Sequence, residues 1–89
     1  MSEIEPIVDV VDVTVLGRYV LELHFADGDI RVIDLEPLLS GPMYDELIDD
    51  YELFTKVSVD AAAGTIHWPN GADVSPRRLY SDSKPKVPA

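Results

Sequence analysis

The chain of 89 residues contains no cysteine. That excludes a disulfide framework, a thiolate nucleophile and any cysteine-ligated zinc or iron–sulfur site. Basic residues are scarce: seven Lys and Arg stand against 17 Asp and Glu, a formal net charge of −10. A surface of that sign does not displace phosphate counterions, which argues against general nucleic-acid binding. No apolar run approaches the ~20 residues of a membrane span, and no charged-then-apolar signal peptide opens the chain. We expect a cytoplasmic protein with no membrane attachment. Glycine-rich phosphate loops are missing as well, and no Ser lies in a Gly-x-Ser-x-Gly elbow.

What is present is one domain's worth of chain. A domain this small buries only about 60–65% of its unfolded surface, so its core is limited. The charge is uneven. Residues 1–53 carry 14 acidic and two basic side chains, and residues 54–89 carry three acidic and five basic ones. The acidic half reads either as a solubilising surface or as a docking face for a basic partner.

The first third alternates with a period of two. Val11, Val13 and Val15 fall opposite Asp12 and Thr14, and Tyr19, Leu21, Leu23 and Phe25 alternate with polar or small neighbours. Val8 and Val10 are out of phase with Val11, which predicts a bulge near Val10–Val11. Gly17-Arg18 and Ala26-Asp27-Gly28-Asp29 predict tight turns. A third strand over Ile30 to Asp34 then completes a three-stranded antiparallel meander.

The texture changes at Asp34. This residue is placed to cap a helical turn over 35–39, and Pro42 to open a second helical segment from Met43 to about Tyr51. Met43, Leu47 and Ile48 give that segment an apolar stripe facing Asp45, Glu46, Asp49 and Asp50. A hairpin follows: residues 56–60, a turn at 61–64, and Thr65 to Trp68, with Val57, Val59, Ile66 and Trp68 on one face. A last helical turn over Pro76 to Tyr80 is capped by Asp73 or Ser75. The predicted class is α+β, with the domain over 1–81 and a disordered tail over 82–89.

No catalytic constellation emerges. His24 and His67 fall in different strands without paired ligand spacing. The Asp27-Gly28-Asp29 turn lacks the Glu that closes a calcium loop. Asp49 and Asp50 are adjacent and diverge by about 100° on a helix. We therefore expect no enzyme activity, no metal and no cofactor. The most distinctive stretch runs from Ile66 to Tyr80. Read functionally, Trp68, Asn70 and Asp73 form a recognition loop beside Arg77, Arg78 and Tyr80. Read architecturally, Trp68 is a core plug, Asn70-Gly71 a turn, Asp73 an acceptor for backbone N–H groups and Tyr80 a seal on the sheet edge.

These same residues carry a resemblance. Phe25-Ala26-Asp27-Gly28, Asp34-Leu35, Leu38-Leu39, Leu47, Phe54, Val57-Ser58-Val59-Asp60, Gly64-Thr65-Ile66-His67-Trp68-Pro69-Asn70-Gly71-Ala72-Asp73 and Leu79-Tyr80 resemble the DUF2442 family over about residues 8–81. These are small bacterial proteins of undetermined biochemical function. The resemblance implies a small α+β domain and supplies no catalytic residue. Some members add a C-terminal helix-turn-helix domain, for which this chain ends too soon. Members often sit beside a second small gene in pairs that look like toxin–antitoxin modules.

The leading expectation is a small acidic partner-binding module, the antitoxin-like or regulatory half of a two-gene pair, whose partner is a small, basic protein. The alternatives are a nucleic-acid accessory factor using Arg77, Arg78, Lys84 and Lys86, and a metal- or metabolite-dependent enzyme. A homodimer is expected too, because meander sheets leave edges open and the Val-rich first strand is such an edge.

Overall fold

The computed structural model describes residues 8–86. Its elements are β1 (Val10–Gly17), β2 (Val20–Phe25), β3 (Ile30–Asp34), a 3-10 turn (Glu36–Leu38), α1 (Pro42–Asp49), α2 (Tyr51–Phe54), β4 (Ser58–Asp60), β5 (Thr65–His67), β6 (Asp73–Val74), α3 (Pro76–Asp82) and β7 (Lys84–Pro85). The architecture is α+β. One antiparallel sheet has the order β1-β2-β3-β7 and a second the order β4-β5-β6. No helix among the described residues is long and apolar enough to cross a membrane.

The meander follows from its alternation. Leu21, Leu23 and Phe25 are buried, and Glu22 and His24 point to the other face, where they oppose Thr14 and Asp12. The phase slip at Val10–Val11 is a bulge: Val10 pairs with Phe25 and Asp12 with His24, so Val11 is an extra residue. Val10 is therefore buried while Val11 is 57% exposed, unlike Val13 and Val15, whose face it was expected to share. The β1–β2 turn lies at Arg18-Tyr19, one residue later than expected. Tyr19 adopts φ 59°, left-handed backbone that costs a non-glycine residue about 1–2 kcal/mol. Burial of its ring, an edge contact with Phe54 and a 2.7 Å bond from its hydroxyl to the Ile48 carbonyl offset that cost.

The helical segment breaks where one helix was expected to run through to Tyr51. Asp50 is extended, and its carboxylate accepts the N–H groups of Glu52 and Leu53, so it starts α2. A carboxylate that opposes the dipole at the end of α1 is favourable at the start of α2. Asp34 acts much as expected, with Oδ1 accepting the Glu36 N–H, although Leu35 is the residue that precedes the turn. Leu47, Phe54, Ile66, Trp68 and Leu79 close the core over the inner face of the meander.

The two sheets meet at Gly64, whose carbonyl accepts the Val10 N–H at 2.9 Å. Its φ of +71° favours glycine, and an added Cβ would also displace the Asp9 carboxylate.

The sequence offers no periodic signal for β6 or β7. The part of the expected tail that is described, residues 82–86, is structured: Asp82 ends α3, Ser83 is 4% exposed, and Lys84 pairs with Val32. The reason is a tertiary anchor. Arg31 on β3 donates from Nε to Ser83 Oγ and from Nη2 to the Ser83 carbonyl, each at 2.8 Å. Residues 87–89 of that expected tail, and residues 1–7 of the expected domain, lie outside the described residues.

Candidate functional site

The loop after β5 is built by its own polar groups. The Trp68 N–H bonds the Ala72 carbonyl, and the Gly71 N–H bonds the Trp68 carbonyl, both at 2.9 Å. Asn70 Oδ1 accepts the Ala72 N–H at 3.0 Å, and Gly71 takes φ +92°, which its lack of a Cβ permits. Two contacts latch this loop to α1. Asn70 Nδ2 donates to Glu46 Oε1 at 2.8 Å, and the Tyr44 hydroxyl donates to the Asp73 carbonyl at 2.5 Å. An open groove of about 250 Å³ lies beside the Tyr44–Asp73 contact, lined by Ser40, Gly41, Pro42, Tyr44, Ala72 and Asp73.

The six residues singled out from the sequence do not converge. Trp68 is 2% exposed, and its Nε1 donates to the Phe54 carbonyl at 3.0 Å. Its indole stacks on Phe54 at 6.0 Å. Asn70 and Asp73 flank the loop, but Asp73 pairs through its backbone with His67, and Asn70 rather than Asp73 accepts the loop N–H. Arg77 and Arg78 are exposed on α3, which Ser75 caps by accepting the Arg78 N–H. Tyr80 packs edge-on against Phe25 at 5.1 Å, with the Arg31 guanidinium 4.5 Å above its ring. Sequence reasoning missed Tyr44, Glu46 and Arg31, because each acts on a residue at least 24 positions away.

The four cations behind the nucleic-acid alternative are partly neutralised. Arg78 bridges to Asp82 at 3.2 Å, and Lys86 bridges to Glu22 at 2.7 Å. No group of three or more metal-ligating side chains occurs among the described residues.

Glu22, on the outer face of the first sheet, holds Lys86 and lies 2.8 Å from His24 Nε2. The hydrogen bond from Lys86, and secondly that from His24, lower its pKa below the usual carboxylate range. A depressed carboxyl contributes stability at pH values above its unfolded pKa and loses it as pH falls through the folded one. Glu22→Gln therefore flattens the decline of melting temperature on acidification below the ordinary glutamate range and leaves little difference in slope near neutrality. Melts followed by circular dichroism across that range check this; parallel acid limbs for the two proteins contradict it.

The acidic side chains gather elsewhere. Asp34 at the end of β3 and Glu36, Asp45, Glu46, Asp49, Asp50 and Glu52 in the 3-10 turn, α1, α2 and the residues joining them are all exposed. No Lys or Arg lies between Arg31 and Lys56.

Comparison with known proteins agrees with the resemblance seen in the residues. The family model described as a protein of unknown function (DUF2442) matches residues 10–85. No curated protein and no solved structure matches the chain. The match runs from the first residue of β1 to the last of β7, so it spans both sheets and the helical segment, and the chain belongs to the DUF2442 family.

Proposed function

We propose that this protein is a non-enzymatic binding module that captures a small basic protein on its acidic helical face, as the antitoxin-like or regulatory half of a two-gene pair. The observation that carries the reading is the seven exposed carboxylates over residues 34–52 with no interspersed cation. Like charges on one face sum to a field that extends over about a Debye length, ~8–10 Å at physiological salt. Such a field speeds encounter with a basic partner and makes association fall with ionic strength. The carboxylates are exposed and lack metal-ligand or acid–base spacing, which favours recognition over chemistry.

The test is co-expression with the product of the adjacent small gene, followed by pull-down at low and moderate salt. Capture is expected at low salt and weakens as salt rises. The triple change Asp45→Asn, Asp49→Asn and Glu52→Gln is expected to reduce association about tenfold or more, since charged rim groups act on encounter rate. These positions spare Asp50 and Glu46, which have structural partners. Absence of capture at either salt sinks the reading, and so does capture that the triple variant leaves unchanged.

A further inference from the structure

The outer face of the first sheet holds an open cavity of about 370 Å³, lined by Val20, Val32, Asp34, Asp82, Lys84 and Pro85. That volume falls within the ~300–1,000 Å³ of small-molecule sites. The register sets the lining residues side by side. Val20 pairs with Asp34 and Val32 with Lys84, so four side chains from β2, β3 and β7 share one face. The wall beyond them is the end of α3, at Asp82. Arg31 fixes the chain there by holding Ser83, the next residue. The cavity thus depends on the C-terminal anchor.

The lining is divided in its chemistry. Val20, Val32 and Pro85 supply an apolar floor. Lys84 is exposed and forms no ion pair among the described residues. Asp34 accepts the Glu36 N–H through Oδ1, and Asp82 holds Arg78 through Oδ2. The second oxygen of each carboxylate has no partner among the described residues. One ammonium and two carboxylates therefore flank the same apolar floor without bridging to each other. Lys84 repels a simple cation, and Asp34 and Asp82 repel a simple anion. A zwitterion meets both signs at once. An α-amino acid carries its ammonium and carboxylate on a single carbon, and a branched aliphatic side chain covers the floor and removes apolar surface from water.

We propose that this cavity binds a free α-amino acid with a branched aliphatic side chain. Lys84 pairs with its carboxylate, Asp34 and Asp82 with its ammonium, and Val20, Val32 and Pro85 pack against its side chain. The site goes beyond partner capture and shares only Asp34 with the acidic stretch, so the two readings fail independently.

The experiment is a titration of the full chain with leucine, followed by residue-resolved nuclear magnetic resonance. Saturable shifts are expected at the amides of Val20, Val32, Asp34 and Lys84, with a Kd of about a millimolar for so small a ligand in an open site. Isopentylamine lacks the carboxylate and 4-methylpentanoate lacks the ammonium; each is expected to bind about tenfold more weakly or worse. Lys84→Met keeps the aliphatic stem, and Asp34→Asn keeps the acceptor for the Glu36 N–H. Both variants are expected to weaken leucine binding about tenfold. Circular dichroism melts check that they fold, and Asp82→Asn replaces Asp34→Asn should the latter melt early. Absence of saturable shifts overturns the proposal. So do equal affinities for the three ligands, shifts confined to other residues, or variants that bind leucine as the wild type does.

Discussion

Trp68→Ala is expected to lose most of the stability of this domain. Truncating a buried aromatic costs about 3–5 kcal/mol through lost transfer energy and the cavity left behind. Small domains have only about 5–15 kcal/mol in all, and one of 89 residues stands toward the lower end. Trp68 is 2% exposed, stacks on Phe54 and sits between the loop after β5 and the end of α2. Trp68→Phe separates volume from hydrogen bonding. It keeps much of the bulk but removes the Nε1 donor, and the Phe54 carbonyl then retains only the Val57 N–H at 3.3 Å. Loss of that one bond costs about 0.5–1.5 kcal/mol. The expected order of urea midpoints is wild type, then Trp68→Phe, then Trp68→Ala. Circular dichroism is the readout, because the change removes the only tryptophan and its fluorescence. An unchanged midpoint for Trp68→Ala contradicts a core role for this side chain.

The result bears on how much of the candidate site the sequence discloses. Trp68 admits two readings from sequence, as a core plug or as a recognition group. Nothing in Trp-Pro-Asn-Gly decides between them, because burial is a property of what packs above. That cover is Phe54, fourteen residues earlier, in a short helix that exists because Asp50 interrupts the expected longer one. Asn70 and Gly71 are different: turn chemistry is local, so their task was legible without a tertiary contact.

The same division holds for the fold. The meander was readable because alternation over six residues of β2 is enforced by burial on one face only. The bulge was readable because a phase slip in valines leaves a trace that no other local device produces as simply. β6 and β7 left no such trace, since each has two residues and is set by its neighbour's ladder. The acidic stretch was visible as composition, and the structure adds that each of its seven carboxylates between Asp34 and Glu52 is exposed.

Arg31 is the residue whose replacement most clearly exposes a long-range dependence. Its side chain is 14% exposed and spends its donors on the far end of the chain. Nε and Nη2 hold the Ser83 hydroxyl and carbonyl, Nη1 reaches Asp29 at 3.1 Å, and the guanidinium covers Tyr80. Ser83 Oγ in turn donates to the Tyr80 carbonyl at 3.0 Å, so one cation ties β3, α3 and β7 together. In Arg31→Ala the Ser83 carbonyl loses a charge-assisted donor in a position that is 4% exposed. Leaving such a group unsatisfied costs about 1–3 kcal/mol, and bonds to charged donors lie at the upper end. Loss of the stacking on Tyr80 adds about 0.5–1 kcal/mol, so a total of roughly 2–4 kcal/mol is expected. Arg31→Lys recovers little, because an ammonium has no planar fork to serve Nε and Nη2 acceptors at once. The loss is also expected to be local. The Lys86 N–H, bonded to the Ile30 carbonyl at 2.9 Å, exchanges with solvent faster in Arg31→Ala, while the amides of β2 follow only the global change in stability. Hydrogen exchange resolved by residue measures both. Lysine restoring wild-type stability, or exchange at Lys86 rising no more than that of β2, contradicts the assignment of Arg31 as the anchor of the C-terminal strand.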